Sequence, residues 1–254
     1  MKIVVVGGHG LVGANIVRRL KADGHDVCAA SRRTGVDIVT GAGLADVLVG
    51  ADVLVDASNS PVLEGPAPLE FFSKAIDNLL AAEIHAGVKH HVMVSVVGTD
   101  RLDDSPYFRG KARQEAKIRA SGLPFTIVHA TQFYEFLLHI VELSVYEQSL
   151  RLSPAYIQPV ASADVAVAMA ELAVQPPHNA VIEMAGPDRE RLSELIQRFL
   201  TEIEAPYDVI TDAQAPYFGA VLAEDSLLPG DNAHVCAMGF GAWLNQSEYW
   251  GANW

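Results

Sequence analysis

Three side chains in this sequence are spaced to move a proton. Ser95 stands at the end of an apolar run, Tyr107 follows twelve residues later, and Lys111 lies four beyond Tyr107. A four-residue step on a helix puts Tyr107 and Lys111 on one face, where the ammonium would favour the phenolate and lower the tyrosine pKa. With Ser95 holding a carbonyl oxygen, the set could pass a proton to a ketone while hydride arrives from a cofactor. The same spacing also arises by chance, and Lys111 could equally solvate a helix face beside Arg109 and Arg113.

A cofactor has its own signal. Directly after the apolar run at residues 3–6 stands Gly7-Gly8-His9-Gly10-Leu11-Val12-Gly13, followed by a helical stretch at 14–20. Gly8, Gly10 and Gly13 fit G-x-G-x-x-G, while Gly7, Gly10 and Gly13 fit G-x-x-G-x-x-G. Either register does the same work: glycines let the backbone approach a pyrophosphate, and the following helix aims free N–H groups at it. The strand before and helix after make this a dinucleotide site. At the tip of the next strand, where Asp or Glu would hold a ribose 2′-hydroxyl, the chain has Ser31-Arg32-Arg33. That reads as a clamp for the 2′-phosphate of NADP(H), against the alternative of a solvated loop with two charges.

These residues need a scaffold, and the periodicity supplies one. Short apolar runs at 3–6, 26–30, 36–39, 53–56, 91–95 and 125–129 alternate with helical stretches, the pattern of an α/β fold with a parallel sheet and right-handed crossovers. Phe72, Ile76, Leu79 and Leu80 form one helix stripe, interrupted by Glu83 and ended by Gly87. A helix over 107–120 stops at Ser121-Gly122-Leu123-Pro124. Further helices are expected around Phe133–Val141, around Val165–Leu172 with Ser162 or Asp164 as N-cap, and around Leu192–Ile203. The rhythm loosens near residue 150, which divides a dinucleotide-binding core at 1–150 from a mixed C-terminal part at 151–254 that completes the sheet and forms a small lobe.

Composition narrows the function classes. The 254 residues are 50% hydrophobic and 19% charged, a globular balance. Eighteen Lys and Arg against 31 Asp and Glu give a formal net charge of −13, which repels nucleic acid and acidic membranes. Cys28 and Cys236 are too few for a disulfide framework and are read as buried thiols. His85, His90 and His91 lie close in sequence but at a helix end and a strand start that point them apart, so no metal site is expected. Asp100, Asp103 and Asp104 read as a solvated loop, against the alternative of a rim that favours cationic or neutral substrates, and Trp243, Trp250 and Trp254 as a plug of the lobe or an interface. With no leader pattern and no long apolar stretch, a soluble cytoplasmic protein is expected, a monomer or homodimer acting on a small molecule.

The glycine turn, the strand end Val94-Ser95-Val96-Val97-Gly98 and the stretch Tyr107-Phe108-Arg109-Gly110-Lys111, with Glu115 four residues on, resemble the short-chain dehydrogenase/reductase superfamily in its atypical, NmrA-like branch. The likeness extends to about residue 205, through Pro159-Val160-Ala161-Ser162-Ala163-Asp164-Val165-Ala166 and Glu183-Met184-Ala185-Gly186-Pro187. It implies a Rossmann-type, doubly wound parallel sheet with a small C-terminal substrate lobe. It further implies that Gly7, Gly10 and Gly13 hold the pyrophosphate with help from His9, Leu11 and Val12, and that Arg32 and Arg33 clamp the 2′-phosphate beside Ser31. Asp37 and Ile38 would edge the adenine, and Ala57, Ser58 and Asn59 would pass the ribose. Tyr107 would be the proton donor, Lys111 would hold the nicotinamide ribose and tune Tyr107, and Ser95 would orient the substrate. His129-Ala130-Thr131-Gln132-Phe133 resembles the stretch that closes over nicotinamide and substrate.

Two points temper the resemblance. Where many relatives place an Asn six residues before a segment like Asn78-Leu79-Leu80, this chain has Phe72. The branch also contains members that bind cofactor without catalysis, typically lacking the Tyr that this chain keeps. The reading is an NADPH-dependent oxidoreductase acting on a carbonyl or related group, against a non-catalytic NADP-binding redox regulator. A sugar-nucleotide epimerase would want a larger, more polar lobe.

Overall fold

Five of the six apolar runs become parallel strands in the computed structural model, which describes residues 1–146 and 149–247. They are β1 (Lys2–Val6), β2 (Asp26–Ala30), β3 (Val53–Asp56), β4 (His90–Val96) and β5 (Phe125–Ala130). With β6 (Ala180–Ala185) and β7 (His234–Val235) they make one seven-stranded sheet in the order β2-β1-β3-β4-β5-β6-β7. This is the Rossmann-type α/β architecture. The order reverses between β1 and β3, and the crevice at the carboxyl ends beside such a switch point is where open α/β sheets bind ligands. Register sharpens the point: Val6 pairs with Ala30 on one side and Asp56 on the other, so Gly7, Ser31 and Ala57 leave the sheet at one level.

The sixth run, 36–39, is a correction. It forms no strand; Asp37 makes only an isolated bridge with Ala42, and its carboxylate accepts the Val39 N–H at 2.8 Å. Val36 and Ile38 are apolar because they pack into the core with Leu44, Leu48 and Leu79, while Asn78 donates to the carbonyls of Ile38 and Val39. Packing, not strand pairing, accounts for the hydrophobic pattern there.

Helices α1 (Leu11–Ala22), α2 (Leu44–Val47), α3 (Ala67–Ala86) and α4 (Pro106–Ala120) alternate with these strands. Gly87 ends α3 in the left-handed region, as the pattern anticipates. Glu83, the interruption in the stripe of α3, is fully buried and accepts a 2.9 Å hydrogen bond from His91 Nδ1 on β4. Burial lowers the His91 pKa, but the Glu83 charge and hydrogen bond and the Asp56 charge together raise it above its ordinary value. Ile76, Leu80, Met93, Ile118 and Ile127 form the core between α3, α4 and the sheet, each contributing roughly 1.5–3 kcal/mol by leaving water.

By compactness the chain divides into two units interleaved along the sequence, whereas the sequence pattern suggests one crossing near residue 150. The first comprises Met1–Val96, Pro106–His129 and Val165–Ile182; the second comprises Val97–Ser105, Ala130–Asp164 and the described residues from Glu183 on. Within the second unit lie α5 (Leu137–Ser144), the start of α6 (Ser162–Val174), α7 (Leu192–Glu202) and α8 (Phe240–Gln246). Neither expected cap holds the start of α6. The Ser162 N–H and hydroxyl both donate to Glu135, and Asp164 accepts the Met238 N–H. Trp243 is buried and stacks on Tyr134 at 5.3 Å, so it plugs this unit; Trp250 and Trp254 lie outside the described residues. No helix of the described residues is long and apolar enough to cross a membrane.

Candidate functional site

The glycine turn sits in the first unit, where β1 ends. Gly7 has φ +71°, and a side chain there would start 2.5 Å from the Ala57 carbonyl oxygen, so the turn lies directly against the Ala57-Ser58-Asn59 turn that follows β3. Gly10 is the N-cap of α1, and a Cβ on it would meet only the Gly7 carbonyl, at 3.2 Å. Leu11 is exposed, Val12 and Gly13 are buried, and α1 begins with no capping side chain and no acidic residue in its first turn. A positive helix end with unpaid donors and open space above Gly10 fits an anionic phosphate group.

At the tip of β2, Ser31 opens a short 3-10 turn at Arg32–Thr34. Both arginines are exposed, and neither guanidinium has an ion-pair or hydrogen-bond partner among the described residues. The Ser31 hydroxyl lies 2.9 Å from His9 Nδ1, linking this tip to the glycine turn. The Oδ1 of Asp37 accepts the Val39 N–H within its own loop, and the Ile38 side chain belongs to the core.

Tyr107 and Lys111 occupy successive turns of α4, as their spacing requires, but they are held by different partners. The Tyr107 hydroxyl donates to Asn59 Oδ1 at 3.2 Å, and its ring packs edge-on against Phe72 at 5.6 Å. Burial raises the phenol above its ordinary pKa, the opposite of the direction expected from a lysine neighbour. Lys111 is buried; its Nζ donates to the Val94 carbonyl at 3.0 Å and lies 4.8 Å from the centre of the Phe72 ring. Burial lowers its pKa to about 8, against the opposing charges of Asp56 and Glu115. Gly110 permits this crowding, since a Cβ there would stand 2.7 Å from Phe72 Cδ2.

Ser95 is also engaged from within. It donates to Glu115 Oε1 at 2.6 Å; the same oxygen accepts from His129 Nε2 at 2.8 Å, and Oε2 accepts from Arg119 at 2.8 Å. Burial pushes the Glu115 carboxyl up, but the His129 and Ser95 bonds and the Arg119 charge together hold it below the usual carboxylate value. With an ionised acceptor taking its proton, Ser95 presents lone pairs to its surroundings. Asp56, buried at the end of β3, accepts the Ser58 N–H at 2.9 Å and so shapes the turn that carries Asn59.

Thr131 and Gln132 belong to the second unit, where both are buried; the Thr131 hydroxyl and both Gln132 amide atoms lack hydrogen-bond partners among the described residues. His90 bonds Thr126, His91 bonds Glu83, and His85 is exposed; among the described residues no three His, Cys, Asp or Glu group to hold a metal ion. Cys236 is buried, its thiol pushed up to about 11 by burial, while Cys28 is only partly so. The partners that sequence reasoning missed are Asp56, Glu115 as the holder of Ser95, and the Asn59 bond to Tyr107; Phe72, singled out at the position of the relatives' Asn, packs against both Tyr107 and Lys111. Glu115 alone carried a signal, four residues beyond Lys111 on the same helix face.

A family model described as NAD(P)H-binding matches residues 7–176 of the chain. Over 109 residues the chain is 31% identical to the chloroplastic protein TIC 62 of Oryza sativa subsp. japonica, a stretch covering 40% of this chain and 21% of that protein. The chain spans between a fifth and a half of the length of the curated relatives it matches. Among solved structures, a double mutant of the dTDP-glucose 4,6-dehydratase DesIV from Streptomyces venezuelae with NAD bound is similar at TM-score 0.72 and 18% identity, covering 98% of this chain and 99% of that one. The NADPH-dependent quinone oxidoreductase QOR2 of Escherichia coli, complexed with NADPH, is similar at TM-score 0.65 and 18% identity, covering 89% and 93%. At these identities the structures speak to the fold.

Proposed function

The chain belongs to the NAD(P)H-binding family, and from that premise we propose that it is an NADPH-dependent oxidoreductase reducing a carbonyl or related group of a small molecule. The observation that carries this reading is the bond from Tyr107 to Asn59. It ties the proton-bearing phenol to the turn against which the glycine loop is packed, so proton donor and dinucleotide cradle share one corner. Gly7, Gly10 and Gly13, with Leu11 and Val12, would hold the pyrophosphate over the start of α1, and Arg32 and Arg33 the 2′-phosphate beside Ser31.

When bound, NADPH supplies hydride to the substrate carbon. Tyr107 gives its proton to the carbonyl oxygen, which completes the alcohol. Its raised pKa keeps the phenol protonated at neutral pH, and the Lys111 cation, largely charged below about pH 8, stabilises the phenolate left behind. Ser95 accepts a hydrogen bond from a substrate or product hydroxyl. The test is NADPH oxidation followed by absorbance against a panel of ketones, enones, quinones and imines; turnover of at least one is expected.

A second reading, a non-catalytic NADP-binding redox regulator of the NmrA type, is favoured by Phe72, which fills the polar relay position, and by the Lys111 amine being engaged at the Val94 carbonyl. Tight NADPH binding with no turnover across the panel would support it over the first. The proposal includes a cytoplasmic setting and a monomer or homodimer, checked by fractionation and sedimentation.

A further inference from the structure

His9 is not required by either glycine register; the turn would close with any residue there. Its side chain reaches across to the tip of β2, where Nδ1 meets the Ser31 hydroxyl at 2.9 Å. Ser31 is itself fixed, because its N–H donates to Thr34 Oγ1 at 3.0 Å and its carbonyl accepts the Thr34 N–H at 2.9 Å. A hydroxyl that donates to Nδ1 leaves the ring proton on Nε2, the nitrogen on the far edge of the ring, where it serves as a donor. Arg32 and Arg33 directly follow Ser31, exposed and without carboxylate partners among the described residues, in a chain of net charge −13. A corner that selects NAD offers a carboxylate acceptor to the ribose 2′-hydroxyl; this corner carries two guanidiniums in its place. Two guanidiniums and a ring N–H, gathered at the tip of β2 and the turn bonded to it, suit a phosphate dianion.

We infer that His9 is a specificity-determining residue that reads the 2′-phosphate through Nε2–H, and that Ser31 is a positioning residue that sets its tautomer. The inference rests on the cofactor reading above. It assigns the choice between the two nicotinamide cofactors to the glycine turn as well as to the arginines.

Fluorescence titration of NADPH and NADH separates the possibilities, using the native chain and the variants His9→Leu, His9→Gln, Ser31→Ala and the double variant. All positions are exposed or half-buried, so folding is checked by circular dichroism and is expected to persist. His9→Leu should weaken NADPH about tenfold and leave NADH unchanged. His9→Gln should recover part of the loss, since its amide nitrogen can stand near the position of Nε2. Ser31→Ala should cost about threefold alone and nothing further in the His9→Leu background. Equal weakening of both nucleotides by His9→Leu would overturn the inference and make His9 a pyrophosphate or turn residue. Full retention of NADPH preference in that variant would also overturn it while leaving the oxidoreductase reading intact. A native chain that binds neither nucleotide would remove both.

Discussion

The turn after β1 and the corner around Tyr107 belong to one compact unit, and they are finished in opposite ways. At the turn, donors are left over: α1 starts without a cap, and Arg32 and Arg33 have no partners among the described residues. At the corner every group with chemistry is already bonded inside the protein, Tyr107 to Asn59, Lys111 to the Val94 carbonyl, and Ser95 to Glu115. The first region is completed by a ligand, whereas the second must exchange partners to act. Binding and chemistry are therefore separable by mutation.

The largest expected effect is at the bonded corner. Tyr107→Phe removes one hydroxyl and should lower turnover of any active substrate by a factor of about 10²–10⁴, with NADPH affinity unchanged. Equal rates for variant and native chain would show that the corner is not the proton source. Next comes Gly10→Val, whose side chain enters the open space above α1. NADPH affinity should fall roughly a hundredfold or more, with the thermal midpoint little changed, because only the Gly7 carbonyl is close to the new Cβ. A folded variant with native affinity would break the comparison from the other side.

The smallest effect probes the interior behind the corner, where neighbouring histidines on β4 have opposite tendencies. Burial, with the charges of His91 and His178, lowers His90 to about 4, while the charge and hydrogen bond of Glu83, with the Asp56 charge, together overcome burial and raise His91. The unfolded chain then takes up a proton at His90 before the folded chain does, so stability falls as pH drops from about 6.5 toward 4, on the order of 1 kcal/mol after solvent screening. The contribution of His91 is complete below pH 6.5 and is lost as pH rises through its folded value. Denaturant melts across this range should show an acid limb that His90→Gln flattens, since the amide can keep a bond to Thr126.

What was legible in the sequence follows the same division. The glycine turn could be read because its demands fall on the backbone, as at Gly7, where positive φ and the Ala57 carbonyl leave no room for a side chain. Strand runs such as 53–56 could be read because both faces are covered. The run 36–39 misled because Val36 and Ile38 are buried by a loop, for which a four-residue window carries no separate signature. Side-chain partners were hidden where they come from distant elements: Glu83 breaks the stripe of α3 for a histidine on β4, and Glu135 replaces the expected cap at Ser162. The i, i+4 spacing placed Tyr107 and Lys111 on α4, yet it could not foresee that Asn59 and the Val94 carbonyl would be their hydrogen-bond partners.

The central claim, that the first unit is built around NADPH, is tested most directly by titrating the native chain with NADPH and NADH under identical salt. A charge-assisted bond to the 2′-phosphate corresponds to roughly a tenfold to hundredfold gain in affinity. The account therefore predicts that NADPH binds at least about tenfold tighter than NADH; equal affinity, or tighter binding of NADH, would contradict it.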